Sequence, residues 1–260
     1  MPSLNVLCWN VLATPHTHYN SAFHGQPGAE SLAARNNRYA RNHALLLRVG
    51  ADILCLQEAD EAFVSLLQPT YTILQHKVNR NREGCALLVR GDGAAGAVTV
   101  TRATSVDLGG GKSAVFMHFA AAPGGVGVWL ATAHLAGGQP ALATRTAQLQ
   151  AVQAAVAAAS GAGGDAALIL CGDLNDTSPE AMEAGVAKGA RLSRAPGDVE
   201  SASGLSADFS TAVRIDHVLQ NAAAQGRVGG VQLPYAPGDP WRKGAELGSD
   251  HAPLIFEMVV

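Results

Sequence analysis

Residues 166–179, AALILCGDLNDTSP, decide how the whole chain is read. Residues 167–171 are an apolar run suited to a buried strand, and the run ends in Asp173, Asn175 and Asp176. In an extended chain alternate side chains face opposite ways, so Asp173 and Asn175 share a side and Leu174 takes the other. Gly, Asp and Asn also build turns. Taken alone, the stretch therefore leaves a plain strand-end turn and a chemically active edge both open.

Working outward, further strand-like runs lie at residues 4–9, 52–57, 72–75, 85–89, 98–102, 114–119, 127–133, 213–219 and 253–258. Helical patterns occupy residues 33–49, 62–67 and 141–159. A fourth, at 179–187, follows Ser178 as a cap, with Pro179 suited to its first turn. Strands and helices mix without strict alternation, which favours an α/β fold with mixed sheets over a doubly wound parallel one. No composition shift marks a boundary, so residues 1–260 read as a single domain. The segment LGGGKSAVF ends like a phosphate-binding loop, but Val106 stands where that loop needs its first glycine. A strand rather than a helix follows, so a hairpin turn is expected.

The composition narrows the class. Hydrophobic residues make up 48% of 260 and charged residues 15%, enough for a large core and too apolar for disorder. A formal net charge of −3 gives no global attraction to nucleic acid, although a local basic strip would suffice. Cys8, Cys55, Cys85 and Cys171 sit far apart in apolar runs without zinc-ligand spacing, as free buried thiols do in a reducing compartment. The segment MPSLNVLCWN lacks the basic start and long apolar run of a secretory signal. The two longest uncharged stretches, residues 113–144 and 146–164, are interrupted by glycines, histidines or glutamines. The expectation is an intracellular, cytoplasmic protein that does not span a membrane.

The polar ending of residues 166–179 recurs. Asn10 closes the first strand, Glu58 the second in DILCLQE, and His134 the run GVWLATAH; Asp216 interrupts VRIDHVL, and GSDHAPL precedes the last strand. Each alone is compatible with a structural role. Together they are groups that ligate metals or move protons, placed at strand ends, where sites gather in α/β folds.

In this order Asn10, LQE, AHL, GDLND, RIDHVL and SDHAPL resemble the endonuclease/exonuclease/phosphatase superfamily of metal-dependent phosphoesterases. CWNVLA, NRYARNHALLLRVGAD, ADILCLQEAD and EGCALLVR are similar to its deadenylase branch, the carbon-catabolite-repressor-type, nocturnin and angel-like proteins. The resemblance implies a four-layer α/β sandwich, two packed mixed β-sheets flanked by helices, with the site at the sheet edges.

It also implies roles. Phosphodiester hydrolysis needs cationic charge at the phosphate, a base for water and a stabiliser near the leaving oxygen. Glu58 is the expected ligand of Mg²⁺ (or Mn²⁺), with Asp250 as a further ligand or as the anchor of a metal-bound water. Asn10 would orient Glu58 or the phosphate, Asp173 would deprotonate water, and Asn175 would donate to a phosphoryl oxygen. His251 would contact the phosphate with Asp216 fixing its tautomer; His134 would be a second phosphate contact, oriented by Glu83. Asp216 and His217 are adjacent, so only one faces the site, and His217 is assigned to packing. His16 and His18 suit a transition metal or a loop beside the site. Arg35, Arg38 and Arg41 lie on the polar side of a helix, either as a solvated face or, for Arg38 and Arg41, as a track for phosphates.

Three functions follow as expectations. The first is a Mg²⁺-dependent phosphodiesterase of nucleic acid, a 3′-to-5′ exoribonuclease whose partner is single-stranded RNA. The second is a phosphatase or phosphodiesterase of a small nucleotide, inositol phosphate or lipid head group. The third is a binding module without activity, which the complete set Asn10, Glu58, Asp173, Asn175, Asp250 and His251 argues against.

Overall fold

The computed structural model describes residues 2–19, 30–92, 98–120, 127–138, 142–161, 166–176, 191–196, 214–234 and 248–260. The helical pattern expected at 179–187 lies outside them. Helices α1 (Leu32–Val49), α2 (Glu61–Leu67) and α3 (Leu142–Ser160) accompany eleven strands among the described residues. The strands are β1 (Ser3–Asn10), β2 (Ile53–Asp60), β3 (Tyr71–Val78), β4 (Glu83–Arg90), β5 (Thr99–Gly109), β6 (Lys112–Ala120), β7 (Val128–His134), β8 (Ala167–Asp173), β9 (Ser193–Arg194), β10 (Asp216–Gln220) and β11 (Leu254–Val259). They form one sheet of order β11-β1-β2-β4-β3 and another of order β5-β6-β7-β8-β10-β9.

Each sheet has one parallel pair at its centre, β1 with β2 and β7 with β8, flanked by antiparallel neighbours. Period-two alternation then sorts the side chains into three apolar interfaces. Val6, Cys8, Ile53 and Cys55 meet Val115, Met117, Leu130 and Ile169 between the sheets. Leu7, Trp9, Leu54 and Leu56 face Tyr39, Leu45 and Leu46 of α1 and Phe63 of α2. Trp129, Ala131, Leu168 and Leu170 face Leu149, Val152 and Val156 of α3. Two sheets with helices on both outer faces are the four-layer sandwich, and the central strands are apolar throughout because both their faces are covered. All four cysteines are free and buried in the inter-sheet layer.

The helix ends follow from local chemistry. Ser31 caps α1 by accepting from Ala34 N, and Gly50 stops it in the left-handed conformation at φ 63°. Asp60 ends β2 and caps α2 by accepting from Phe63 N at 2.8 Å. The segment read as a false phosphate loop is the β5–β6 hairpin, with Gly109 paired to Lys112. Among the described residues no helix is long and apolar enough to cross a membrane.

Candidate active site

The parallel pairs explain why polar residues end the strands. Parallel neighbours run the same way, so β1 and β2 deliver Asn10 and Glu58 to one edge, while β7 and β8 deliver His134 and Asp173, paired in register. β10 runs antiparallel to β8 and begins where β8 ends, setting Asp216 opposite Asp173. The segment leading into β11 adds Asp250 and His251.

Asn10 ties the halves together. Its Nδ2 donates to Glu58 Oε1 at 3.0 Å and to Asp173 Oδ2 at 2.9 Å, and its Oδ1 accepts from Leu12 N. Glu58 Oε2 accepts from Ala13 N at 3.0 Å. Glu58 itself has φ 52°, at the point where the β2–β4 register slips between Leu56 and Ala59. A bulge re-aims the side chain, and the left-handed conformation costs on the order of 1–2 kcal/mol in a residue with a Cβ. Asn175, at φ 53°, is also left-handed, so its direction is set by a turn rather than by strand alternation. Its backbone N donates to Asp173 Oδ1 at 3.0 Å and its Nδ2 to Leu135 O at 3.0 Å, leaving one amide hydrogen for another acceptor. Gly172, at φ 149°, is required: a Cβ there would stand 2.0 Å from Ala133 O of the neighbouring strand.

Electrostatics divides these groups. Burial pushes the Asp173 carboxyl up to about 7, with Asp216 and Glu58 adding to the rise and His251 opposing it. Burial also opposes charge on His251, but Asp216, with Oδ2 2.7 Å from His251 Nδ1, holds the imidazolium well above its ordinary range. Asp216 therefore accepts from Nδ1–H, and Nε2–H is left facing Asp173 Oδ2 at 3.7 Å and Asp250 Oδ1 at 3.9 Å. His134 goes the other way, pushed well down by burial and then by Lys112, whose Nζ lies 2.6 Å from His134 Nε2. An ammonium has hydrogens to give and no lone pair, so Nε2 is the acceptor. The 3.5 Å approach of His134 Nε2 to Asp173 Oδ2 is thus not an ion pair.

Three expected roles change. Glu83 does not orient His134: its Oε2 lies 2.8 Å from His16 Nε2 and its Oε1 accepts from Asn79, while Lys112 takes the His134 ring. Arg38 is not a surface cation. It is 1% exposed, paired through Nη2 with Glu30 Oε2 at 2.8 Å, and donates to the backbone oxygens of Val11, Leu12 and Gly248. The helical period put it beside Arg35 and Arg41, but the chain after β1 and the chain around residue 248 fold over that part of α1. Arg41 is exposed on the same helix, so Arg38 and Arg41 form no common phosphate track. Lys112 was not singled out, because three preceding glycines made it read only as the end of a turn. His217 is fully buried, its Nε2 3.2 Å from Asp176 O, away from the Asp216–His251 contact. The side chain of His18 lies outside the described residues.

A divalent cation fits the donors present. Ligand atoms of Glu58, His134 and Asp173, of Asp173, Asp216 and His251, and of His16, Glu58 and Glu83 each fall within 4.8 Å of one another. Burial raises the Glu58 carboxyl; His16 opposes this, and Glu83 and Asp250 add to it. Asp250 Oδ1 is buried and has no hydrogen-bond partner among the described residues. Converging carboxylate oxygens without enough donors are what a hard cation completes.

Two packed mixed sheets with this edge of carboxylates, imidazoles and an amide define a metal-dependent phosphoric ester hydrolase. The match to known proteins agrees: the model of the Endonuclease/Exonuclease/phosphatase family covers residues 7–251, and the chain belongs to that family. No curated protein sequence matches the chain. Among solved structures, the fold is similar to TDP2 of D. rerio complexed with single strand DNA product (TM-score 0.63, 16% identity, covering 100% of each chain). It is also similar to the human Nocturnin catalytic domain with bound sulfate anion (0.65, 18%, 99% of this chain and 93% of that one). A third is ANGEL2, a 2′,3′-cyclic phosphatase, in complex with adenosine-2′,3′-vanadate (0.68, 14%, 99% and 96%). At these identities the likeness concerns the fold, and two of the three are of the branch that the sequence motifs resemble.

Proposed function

We propose that this protein is a Mg²⁺-dependent phosphodiesterase, with Mn²⁺ as a competent substitute, that removes nucleotides from the 3′ end of single-stranded RNA. One observation carries the reading. The Asp173 carboxyl, pushed up to about 7, stands between the Asn10 amide it shares with Glu58 and two imidazoles, His134 held neutral and His251 held protonated.

In this reading Glu58 and Asp250 would hold the cation, whose charge would offset that of the phosphoryl oxygens. Asp173 accepts the proton of the attacking water; a base with a pKa near the working pH combines availability with driving force. Asn10 and the Asn175 backbone N–H keep that carboxylate aimed. His251, protonated and fixed by Asp216, presents Nε2–H to the phosphate or the leaving oxygen. Such a separation of an acid and a base by their surroundings is how a single site runs both halves of proton transfer. Lys112 adds a fixed positive charge beside His134, where negative charge grows as the phosphoryl group is attacked.

The nucleic-acid substrate is supported by the TDP2 structure with single strand DNA product, and ribose by the adenosine-2′,3′-vanadate held by ANGEL2. A second reading, a phosphoesterase of small phosphorylated molecules, draws on ANGEL2 being described as a 2′,3′-cyclic phosphatase and on the net charge of −3. A panel of poly(A), single- and double-stranded DNA, cyclic and small phosphoesters, each with Mg²⁺ or Mn²⁺, tests the choice. Stepwise release of mononucleotides from the 3′ end of RNA is expected. Turnover confined to the small phosphoesters would overturn the exoribonuclease.

A further inference from the structure

The sequence offered Arg38 and Arg41 as a phosphate track, and the fold removes Arg38 from the surface. A different cationic surface lies against the site. The β3–β4 turn and the β5–β6 hairpin enclose a cavity of about 420 Å³, and Lys77, Asn79, Arg80, Asp107 and Lys112 are among its walls. Three cations stand against one carboxylate there. Among the described residues neither Lys77 nor Arg80 has an ion-pair partner.

The walls are held in place. Asn79 Nδ2 donates to Gly111 O of the hairpin at 2.9 Å and to Glu83 Oε1 at 3.2 Å, and its Oδ1 accepts from Asn81 N at 2.7 Å. Gly84 lets β3 and β4 close up behind it, since a Cβ there would lie 1.8 Å from Lys77 O. Lys112 belongs both to this cavity and, through its 2.6 Å contact with His134, to the edge of the active site. A second cavity, on the other side of the same hairpin, is lined by Leu108, Ala136, Thr144 and Gln148 and has no charged residue besides Lys112. Of these two cavities, only the one with Lys77 and Arg80 carries further positive charge outward from Lys112.

We propose that the Lys77–Arg80–Lys112 cavity binds a second phosphate of the substrate, the one next along the strand from the phosphate being cleaved. The inference rests on the phosphodiesterase reading and names what it recognises: a substrate with at least two phosphates. Lys112 spans the two phosphates, and Lys77 and Arg80 receive the outer one. An ammonium and a guanidinium on a braced turn, with a single opposing carboxylate, suit a phosphate dianion or diester better than a base or a sugar.

The test is equilibrium binding of a fluorescent single-stranded oligonucleotide in EDTA, followed across salt concentrations, for wild type and Lys77→Ala/Arg80→Ala. Each phosphate neutralised on a single strand contributes a log–log slope of roughly −0.7, so losing the outer phosphate flattens the slope by about 0.7. Lys77→Arg/Arg80→Lys keeps the charge and is expected to retain the wild-type slope, which separates charge from local structure. With Mg²⁺, turnover of bis(p-nitrophenyl) phosphate, which has one phosphate, should be the same in all three proteins. An unchanged slope in the alanine variant overturns the proposal, as does an equal loss of bis(p-nitrophenyl) phosphate turnover. If wild type fails to hydrolyse that diester at all, the phosphodiesterase reading falls, while the binding slope in EDTA still reports on the cavity. Competition by ATP that AMP does not match, and that disappears in the alanine variant, identifies a nucleoside polyphosphate as a source of the second phosphate. Without it the source is the strand.

Discussion

The two parallel strand pairs have the same topology and deliver opposite chemistry. At the end of β1–β2 the acidic group is Glu58, set off register by a bulge, held by Asn10 and a backbone N–H, with Asp250 and Glu83 nearby. At the end of β7–β8 the residues lie in register, and what gathers there is an imidazole, a carboxyl near neutrality and, across from them, a protonated His251. The first end concentrates carboxylate oxygens; the second concentrates protons. A sheet edge supplies position alone, and the neighbours of each carboxylate decide whether it holds a cation or moves a proton.

Substitutions at the two ends should therefore fail differently. Asp173→Asn removes the base while preserving shape, so kcat should fall roughly 10²–10⁴-fold with metal affinity near wild type. Steady-state kinetics alongside a Mg²⁺ titration checks both halves of that statement, and wild-type turnover would take Asp173 out of proton transfer. Glu58→Gln should show the converse. Its apparent Mg²⁺ affinity should drop by more than the roughly 10–100-fold typical of an outer-shell change, and added metal should recover part of the rate. Overlapping metal titrations for the two proteins would refute the division between the ends.

The β1–β2 end also depends on the buried Arg38–Glu30 pair, which joins α1 to the backbone just after Asn10. Arg38→Ala leaves Glu30 as an uncompensated buried charge, and a loss of about 3–5 kcal/mol in denaturant unfolding is expected. A neutral outcome would mean that the clamp is not what holds this end.

The β7–β8 end should show itself in the pH dependence of stability without metal. The Asp173 carboxyl is in the usual carboxylate range when unfolded and about 7 when folded, so the folded protein carries the extra proton between those values. Stability from this group is then greatest in acid and declines as pH rises toward 7. Thermal melts in EDTA between pH 4 and 8 should show Asp173→Asn declining less than wild type. Mg²⁺ should stabilise wild type and Asp173→Asn alike, and more at pH 8 than at pH 5, because burial raises the Glu58 carboxyl, which holds a cation only once deprotonated. The smallest effect is expected where the ends are joined across the core. Gln57 Nε2 donates to Thr132 Oγ1 at 2.6 Å, and Thr132→Val should cost about 1 kcal/mol in unfolding while leaving kcat unchanged.

Much of this was legible in the sequence because it rests on local rules. The period-two alternation of residues 4–9, 53–56 and 167–171 fixes which side chains face the other sheet and which face helices. A polar residue that closes an apolar strand must also lie at a sheet edge. Asn10, Glu58, Asp173, Asp216 and His251 could be named on those grounds together with the motif resemblance. Tertiary structure alone decided the partners. That Lys112 takes the His134 ring and Glu83 takes His16, and that Arg38 is buried while Arg41 is not, depends on which distant segments pack across the same spot. Helical periodicity assigns Arg38 a face; only the chain folded over that face determines whether the face meets water. The charge states of Asp173 and His251 belong to the same category, because burial and the opposing carboxylates come from four strands and a loop far apart in sequence.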